Sequence, residues 1–437
     1  MAVHDMPRVQ GRVPPSPHFA YADGVLCADG VSLARIAERF DTPCYVYSGA
    51  AVDAAYASID AALAGAPHFI AYAMKANSNL ALLARLERAG AGVDIVSGGE
   101  LARALKAGFP AQRIAFSGVG KRDDEIRSAL EAGVRALHAE SEPEIDAIER
   151  IARDLGKPAA LCLRVNPEVD ANTHPYIATG LRSSKFGVAL DVARRMLPRL
   201  LNSPHLKLEG IACHIGSMVG SPEPLAAAVE ICARFARECQ QAGAPIDTLD
   251  AGGGWPISYG DESSTHAENA RFGSAIIDAA KRGAGEHGWT VMVEPGRSLV
   301  GDAGVLLTRV LYVKEQSGKR FAIVDGAMTE LIRPALYRAY HAVAPVKEPL
   351  AGEPLEPVDV VGPVCESADF LALDRSLPPL ARGDLLAIRG AGAYASVMGS
   401  RYNSRPLAAE VLVEGGDARL ARRREPIDAL WREELME

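Results

Sequence analysis

Short apolar runs alternate with helical segments between about Thr42 and Arg297. This alternation is the arrangement expected of repeated βα units. Because eight parallel strands close into a barrel, the pattern predicts an α/β fold built on a (βα)8 TIM-type barrel. The eight apolar runs begin near Phe69, Val93, Ile114, Arg135, Ala160, Gly210, Asp247 and Thr290.

The segments between these runs are predicted to be helices. Leucine and isoleucine recur in them at three- and four-residue spacing, and a glycine follows the last turn. The three clearest segments are Asn79–Gly90, Gly99–Gly108 and Asp124–Gly133. The repeat carries no tandem sequence identity, which argues against a solenoid.

After about Arg297 the helical spacing fades, and β-type runs begin at Val305, Phe321, Val358 and Leu385. These runs predict a C-terminal antiparallel β domain, which the segment Phe19–Leu33 is expected to complete with an N-terminal strand. Pro14–Pro17 is expected to be a flexible leader. The predicted division is residues 1–41 for the leader and N-terminal strand, residues 42–297 for the barrel, and residues 298–437 for the β domain.

The composition narrows the class of partner. The 437 residues are 48% hydrophobic and 23% charged, which is typical of a soluble protein with a large core. The net charge is −8, and lysine and arginine are scattered, so we expect a small-molecule partner and neither nucleic acid nor a membrane. No apolar run approaches the roughly 18 residues that span a bilayer, and Met1–Pro17 lacks a secretory pattern, so we expect a cytoplasmic protein.

The cysteines are odd in number and include no CxxC pair, which indicates a reducing compartment and argues against a zinc site. No metal is therefore expected. The seven are Cys27, Cys44, Cys162, Cys213, Cys232, Cys239 and Cys365.

Chemically active residues stand where the predicted barrel strands end, which is where barrels of this kind carry their active sites. Glycines follow runs seven and eight, the two loops that commonly build a phosphate site from backbone N–H groups. Lys75 ends run one, where desolvation favours the neutral amine that attacks an aldehyde. The residues at the strand ends are Lys75, Ser97–Glu100, Asn166, His214, Ser217, Gly252–Gly254, Glu294, Gly296 and Arg297.

A set of motifs, in order and spacing, resembles the fold-type III pyridoxal-phosphate decarboxylases that act on diaminopimelate, ornithine and arginine. The resemblance extends from about Phe19 to the C-terminus. The motifs are YAMKAN at Tyr72, VSGGE at Val96, FSGVGK at Phe116, RVNP at Arg164, TG at Thr179, SKFG at Ser184, HIGS at His214, DAGGG at Asp250, EPGR at Glu294, RPALY at Arg333, CESAD at Cys365, GAY at Gly392 and YNSRP at Tyr402.

The resemblance implies a role for individual residues toward pyridoxal 5'-phosphate. Lys75 would bind the cofactor covalently, His214 would stack on its ring, and Glu294 would pair with its pyridine nitrogen. A carboxylate there keeps the nitrogen protonated, so the ring can take up the electron pair left by carbon dioxide. The other residues implied to contact the cofactor are Asp94, Ser217, Gly253, Gly254, Pro295, Gly296, Arg297 and Tyr394.

The resemblance also implies a homodimer with shared active sites. Cys365 and Glu366 of the β domain would reach the site of the partner subunit, where Cys365 would donate a proton to the substrate carbon. For Cys162 and Cys213, which lie in barrel strands, an inert role in the core is the better interpretation.

The substrate hypothesis is meso-diaminopimelate, whose second carboxylate requires a cation at the far end of the pocket. Arg333 supplies that cation, with Tyr337 one helical turn on. The substrate-binding set is completed by Glu366, Arg297 and Tyr394. Departures from the family pattern at Met218, Ala368, Ala395 and Leu407 leave the fine substrate preference open.

Three alternatives stay open at this stage. The chain could be a racemase, a decarboxylase for another diamino acid, or a non-catalytic relative that binds the cofactor. A racemase needs a base on each face of the substrate carbon, whereas the Cys365 loop and the long β domain favour decarboxylation. A non-catalytic relative would be expected to lack Lys75 or Cys365, and both are present.

Overall fold

The computed structural model describes residues 16–170, 184–259, 265–285 and 288–436. The chain forms two compact units. The barrel unit contains Ala54–Ile257 and Ser264–Leu299, and the β unit contains the rest of the chain. Pro14 and Pro15 of the predicted leader and Thr179 of the TG motif lie outside the described residues.

The described chain begins with short strands around one helix. The elements are β1 (Phe19–Ala22), β2 (Val25–Ala28), β3 (Val31–Ser32), α1 (Leu33–Phe40), β4 (Cys44–Ser48) and α2 (Gly49–Leu63). Strands β1, β2 and β3 form a three-stranded antiparallel sheet.

The barrel follows, with nearly every strand succeeded by a helix. Its elements are β5 (His68–Ala73), α3 (Leu80–Arg88), β6 (Gly92–Ile95), α4 (Gly98–Ala107), β7 (Ile114–Phe116), α5 (Asp123–Ala132), β8 (Ala136–Ala139), α6 (Glu142–Leu155), β9 (Ala159–Asn166), β10 (Val188–Ala189), α7 (Leu190–Asn202), β11 (Leu206–Ala212), α8 (Pro222–Gln241), β12 (Thr248–Asp250), α9 (Thr265–Ala284) and β13 (Thr290–Val293).

Eight of these strands close into a parallel barrel, which confirms the predicted fold class. Their order is β5, β6, β7, β8, β9, β11, β12 and β13, and β13 pairs with β5 again. The short β10 pairs only with β9 and is not one of the eight. Parallel strands buried on both faces read as continuous apolar runs, which is why the sequence located all eight.

The helix ends follow from local sequence. Ser97 caps the start of α4, where its hydroxyl accepts a hydrogen bond from the Glu100 N–H at 3.2 Å. Helices α4, α5 and α6 each end at a glycine in the left-handed conformation, where a side chain would be strained. These glycines are Gly108, Gly133 and Gly156.

The C-terminal part of the chain is β-rich. Its elements are α10 (Arg297–Val300), β14 (Gly304–Gln316), β15 (Lys319–Val324), α11 (Arg333–Tyr337), β16 (Val343–Pro345), β17 (Glu356–Val361), β18 (Phe370–Leu377), β19 (Leu385–Ile388), β20 (Ala409–Glu414) and β21 (Asp417–Arg422). One sheet runs in the order β18, β17, β15, β14, β4, β20, β21, and β19 pairs with both β14 and β16.

The predicted segment Phe19–Leu33 belongs to the β unit, but the N-terminal strand that enters its large sheet is β4. Strand β4 lies between β14 and β20, and all five of its residues are buried, as suits a central strand. The N-terminal part of the β unit therefore extends to Asp53, whereas the predicted barrel began at residue 42. The sheet is also not wholly antiparallel, because β4 runs parallel to β20 and β15 runs parallel to β17.

The β unit has its own apolar core. Phe19 and Leu26 of the small sheet pack with Val46, Val305 and Val411 of the large one. The segment predicted to supply a strand therefore packs on the large sheet, and its Leu26 N–H donates to the Val346 carbonyl oxygen, just after β16, at 2.7 Å.

The described helices include none that is both long enough and apolar enough to cross a bilayer. All seven cysteines are free thiols; six are buried and Cys365 is exposed.

Candidate active site

Six ionisable side chains gather at the carboxyl ends of the barrel strands. Because the strands are parallel, their carboxyl ends form one rim. These side chains are Lys75 in the turn after β5, Asp94 in β6, His138 in β8, His214 two residues after β11, Asp250 at the end of β12 and Glu294 directly after β13.

Lys75 lies against a buried acid. Its Nζ is 3.2 Å from Oδ2 of Asp94, whose side chain is fully buried, while the Lys75 side chain is 36% exposed. Oδ1 of Asp94 is buried and has no hydrogen-bond partner among the described residues. The pair thus presents an amine at the rim, with a buried acceptor oxygen beneath it.

Glu294 is enclosed by residues at the carboxyl ends of three other barrel strands, β7, β8 and β12. Its Oε1 lies 3.4 Å from the Ser117 hydroxyl and 3.7 Å from Nδ1 of His138. Nδ1 of His138 lies 3.1 Å from the Ser117 hydroxyl and 3.6 Å from Oδ2 of Asp250. The Ser117 hydroxyl donates to Oε1 of Glu294, so Ser117 links His138 to this acid.

Burial shifts the protonation of this group. It lowers the pKa of His138 to about 3, so the ring is neutral. Burial, followed by the neighbouring charges of Asp250 and Asp94, holds the pKa of Glu294 well above its ordinary value. Burial likewise raises the pKa of Asp250.

His138, Asp250 and Glu294 are also spaced closely enough to hold a metal ion, since their ligand atoms lie within 4.8 Å of one another. The same cluster, however, has buried acceptors in excess of donors, because neither Oδ1 of Asp94 nor Oδ2 of Asp250 has a hydrogen-bond partner among the described residues. A group that brings a protonated ring nitrogen fits this arrangement as well.

The glycine loop after β12 orders the rim. The Gly252 N–H donates to Oδ1 of Asp250 at 2.8 Å, and the Gly253 N–H donates to Nδ1 of His214 at 3.0 Å. A Cβ on Gly253 would overlap the Glu294 carbonyl oxygen, so only glycine fits. The Gly253 amide, predicted to contact the cofactor, is here bonded to His214.

The hydrogen bond from the Gly253 N–H determines the tautomer of His214. Its Nδ1 accepts a hydrogen bond, so Nε2 carries the proton of a neutral ring. Burial, reinforced by the Lys75 and Arg164 cations, lowers the pKa of His214 well below its ordinary value. Arg164 also donates to the His214 carbonyl oxygen at 3.4 Å and to Glu140 at 3.0 Å.

The loop after β13 contributes Pro295, Gly296 and Arg297. The Pro295 carbonyl accepts the Ala73 N–H at 3.1 Å, and a Cβ on Gly296 would lie 2.9 Å from that of Ala76, so this loop packs tightly on the end of β5. Nη2 of the buried Arg297 donates to the Ser217 hydroxyl at 3.1 Å. Two residues predicted to contact the cofactor are therefore hydrogen-bonded to each other.

The remaining predicted residues belong to the β unit. Arg333 and Tyr337 are the first and last residues of α11, as the helical spacing predicted. Cys365 and Glu366 are both exposed in the loop between β17 and β18, and the Cys365 N–H donates to Oδ1 of Asn403 at 2.9 Å. Tyr394, after β19, has a φ of 54°.

Sequence reasoning missed Ser117, His138 and Asp250 as neighbours of Glu294. Ser117 and Asp250 lie within motifs that were noted but were given no role. His138 is an ionisable residue inside an apolar run, and that signal could have identified it.

The barrel region of the chain matches a known protein family. Residues 50–301 match the family described as "Pyridoxal-dependent decarboxylase, pyridoxal binding domain". The match defines the class of the barrel unit: it is the cofactor-binding part of a pyridoxal-dependent decarboxylase.

Whole-chain relatives narrow the class. A diaminopimelate decarboxylase of Pseudomonas aeruginosa is 49% identical over 94% of this chain and 97% of its own. The diaminopimelate decarboxylase structure from Helicobacter pylori, complexed with L-lysine, has a TM-score of 0.86 at 40% identity and covers 91% of this chain and 98% of its own. That from M. jannaschii, also with L-lysine, has a TM-score of 0.90 at 33% identity and covers 96% and 98%. The chain belongs to the diaminopimelate decarboxylase family of pyridoxal-dependent enzymes.

Pyridoxal phosphate, the cofactor of this family, would bring a donor to the buried acceptors at the rim. A protonated pyridine nitrogen is a cationic N–H donor, and Glu294 is enclosed where such a donor would be held. Lys75 offers a primary amine at the same rim for covalent attachment.

Proposed function

We propose that this chain decarboxylates meso-2,6-diaminopimelate to L-lysine and carbon dioxide with pyridoxal 5'-phosphate as its cofactor. The observation that carries the proposal is the rim of the barrel, where the Lys75 amine lies 3.2 Å from buried Asp94 and Glu294 is enclosed beside Asp250. Family membership supplies the reaction class, since relatives matched over nearly their whole length are diaminopimelate decarboxylases.

When bound, the cofactor supplies an electron-withdrawing ring that accepts the electron pair released by decarboxylation. Lys75 holds the cofactor covalently, and Asp94 orients the Lys75 amine. Glu294 would accept a hydrogen bond from the protonated ring nitrogen, and the Ser117 hydroxyl, oriented by His138, holds the Glu294 carboxylate in place.

His214 covers one face of the site as a neutral ring, oriented by the Gly253 amide. The residues assigned to the phosphate are Ser217, Gly253, Gly254, Gly296, Arg297 and Tyr394, and Pro295 is a further cofactor contact. Arg297 and Tyr394 also contact the substrate.

The reaction breaks the bond between the α-carbon and its carboxylate, and the α-carbon then takes up one proton to give lysine. We assign that proton to the Cys365 thiol. The exposure of Cys365 on its own chain suits a group that serves another molecule.

Arg333, Tyr337 and Glu366 bind the far end of the substrate. Arg333 pairs with the distal carboxylate, which ornithine and lysine lack, while Glu366 pairs with the distal amine. Substrate preference therefore depends on Arg333.

The chain functions as a homodimer in which Lys75 of one subunit and Cys365 of the other complete each site. Support comes from the family resemblance and from the exposure of Cys365. The proposed compartment is the cytoplasm, where seven free thiols stay reduced.

The test is carbon dioxide release from meso-diaminopimelate, lysine, ornithine and arginine, with Lys75→Ala as the inactive control. A charge-assisted hydrogen bond to the distal carboxylate should favour diaminopimelate by about 30- to 1,000-fold in kcat/KM. Equal rates with ornithine would refute the substrate assignment. Release by Lys75→Ala at the wild-type rate would refute the mechanism.

A further inference from the structure

A buried cluster in the β unit surrounds Arg333. Nη1 of Arg333 lies 2.8 Å from Nε2 of His341, and its guanidinium carbon lies 4.7 Å from the centroid of the Tyr259 ring. His341 is fully buried and Arg333 is 5% exposed. The orientation of this arginine is therefore held from two sides.

The contacts of His341 determine its tautomer. A guanidinium has only donors, so Nε2 of His341 must accept the hydrogen bond from Arg333. Nδ1 then carries the single proton and donates to the Arg389 carbonyl oxygen at 2.8 Å. The ring is neutral, and both of its nitrogens are used.

Tyr259 completes the cluster by packing on both partners. Its ring meets the His341 ring edge-on, with centroids 5.0 Å apart and planes at 73°. A Cβ on Gly390, at φ 66°, would come within 2.8 Å of the Tyr259 ring. The ring fits in this position because residue 390 is a glycine.

We propose that His341 is a positioning residue: it orients Arg333 and thereby sets the preference of the enzyme for a substrate with a distal carboxylate. Its Nε2 lone pair holds one N–H of the guanidinium and so fixes the plane in which Arg333 meets the distal carboxylate. Tyr259 supports that plane by stacking. This inference rests on the proposed role of Arg333 in binding diaminopimelate.

The matched pair His341→Gln and His341→Asn isolates the acceptor. Gln can place an oxygen near the position of Nε2, whereas Asn can keep the donation to Arg389 but cannot reach Arg333. With diaminopimelate, His341→Asn should lower kcat/KM by about 10- to 100-fold, mainly through a higher KM, and His341→Gln should stay within about threefold of wild type. His18→Asn, which alters a histidine paired with Asp29 in the same unit, should have no effect.

A double-mutant cycle separates positioning from a general structural effect. In an Arg333→Ala background, His341→Asn should change kcat/KM by less than about twofold, since the group it positions is gone. Equal losses in the Gln and Asn variants, including failure of both to fold, or full additivity with Arg333→Ala, would overturn the inference. If Arg333→Ala itself leaves kcat/KM for diaminopimelate unchanged, the proposed substrate role has failed instead.

Discussion

Replacing Glu294 with glutamine should have opposite effects on the cofactor-free and the cofactor-bound protein. The substitution keeps the shape of the side chain and removes its charge. Without cofactor, Glu294 is a buried acid beside Asp250 and Asp94, and these surroundings hold its pKa well above the ordinary value. With cofactor, we propose that the same carboxylate pairs with the ring nitrogen.

The sign of the stability effect follows from the raised pKa. Between its unfolded pKa, near 4.5, and its raised folded pKa, Glu294 keeps its proton in the folded protein and has lost it in the unfolded chain. The free energy of unfolding therefore falls by about 1.4 kcal/mol per pH unit across that window. Glu294→Gln removes this loss, so the cofactor-free variant should be the more stable protein at pH 8 and should match wild type near pH 4.5.

The cofactor effect has the other sign. A hydrogen bond to a charged group is worth about 1.5–3 kcal/mol, so its loss should weaken cofactor affinity by about 10- to 100-fold. Activity should fall at least as far, because an unprotonated ring is a poorer acceptor of electrons.

Denaturant unfolding of the cofactor-free proteins at pH 4.5 and pH 8, together with cofactor titration by absorbance, measures both effects. Glu131→Gln, on the exposed surface of α5, is the control and should change neither. A cofactor-free Glu294→Gln protein that is less stable than wild type at pH 8 would refute the electrostatic reasoning. Unchanged cofactor affinity would refute the pairing with the ring nitrogen.

Four further outcomes are expected. Borohydride reduction should fix the cofactor on Lys75, and peptide mapping that finds it on another lysine would contradict the assignment. Arg333→Ala should lower kcat/KM for diaminopimelate by about 30- to 1,000-fold, measured as carbon dioxide release, and a change under threefold would rule out a contact with the distal carboxylate. Mixing Lys75→Ala and Cys365→Ala chains 1:1 should restore about a quarter of wild-type activity per site, and no recovery despite verified subunit exchange would exclude shared sites. Gly253→Ala should lower the free energy of unfolding by about 1–3 kcal/mol in denaturant melts because its Cβ overlaps a carbonyl oxygen, whereas Gly120→Ala, with open space around it, should not.

The sequence motifs identified the main chemically active residues of the barrel, but they did not identify the residues that surround Glu294. Lys75, His214 and Glu294 could be selected because each stands at the end of an apolar run within a specific motif. The neighbours of Glu294 could not be selected in the same way, because Ser117 follows β7 and His138 lies in β8, both far along the chain from β13. Strand closure, a non-local event, brings them within hydrogen-bonding range.

The sequence by itself determined the barrel and its helix ends. Each barrel strand is an apolar run, and glycines at positions such as 108 and 133 end helices through a conformation that other residues avoid. Only the tertiary structure decided that β4 joins β14 and β20, because its partners lie more than 250 residues away and any apolar strand satisfies the local pattern. The tertiary structure likewise decided the tautomer of His341. Nε2 must accept a hydrogen bond from Arg333, so the ring proton lies on Nδ1, which donates to the Arg389 carbonyl oxygen.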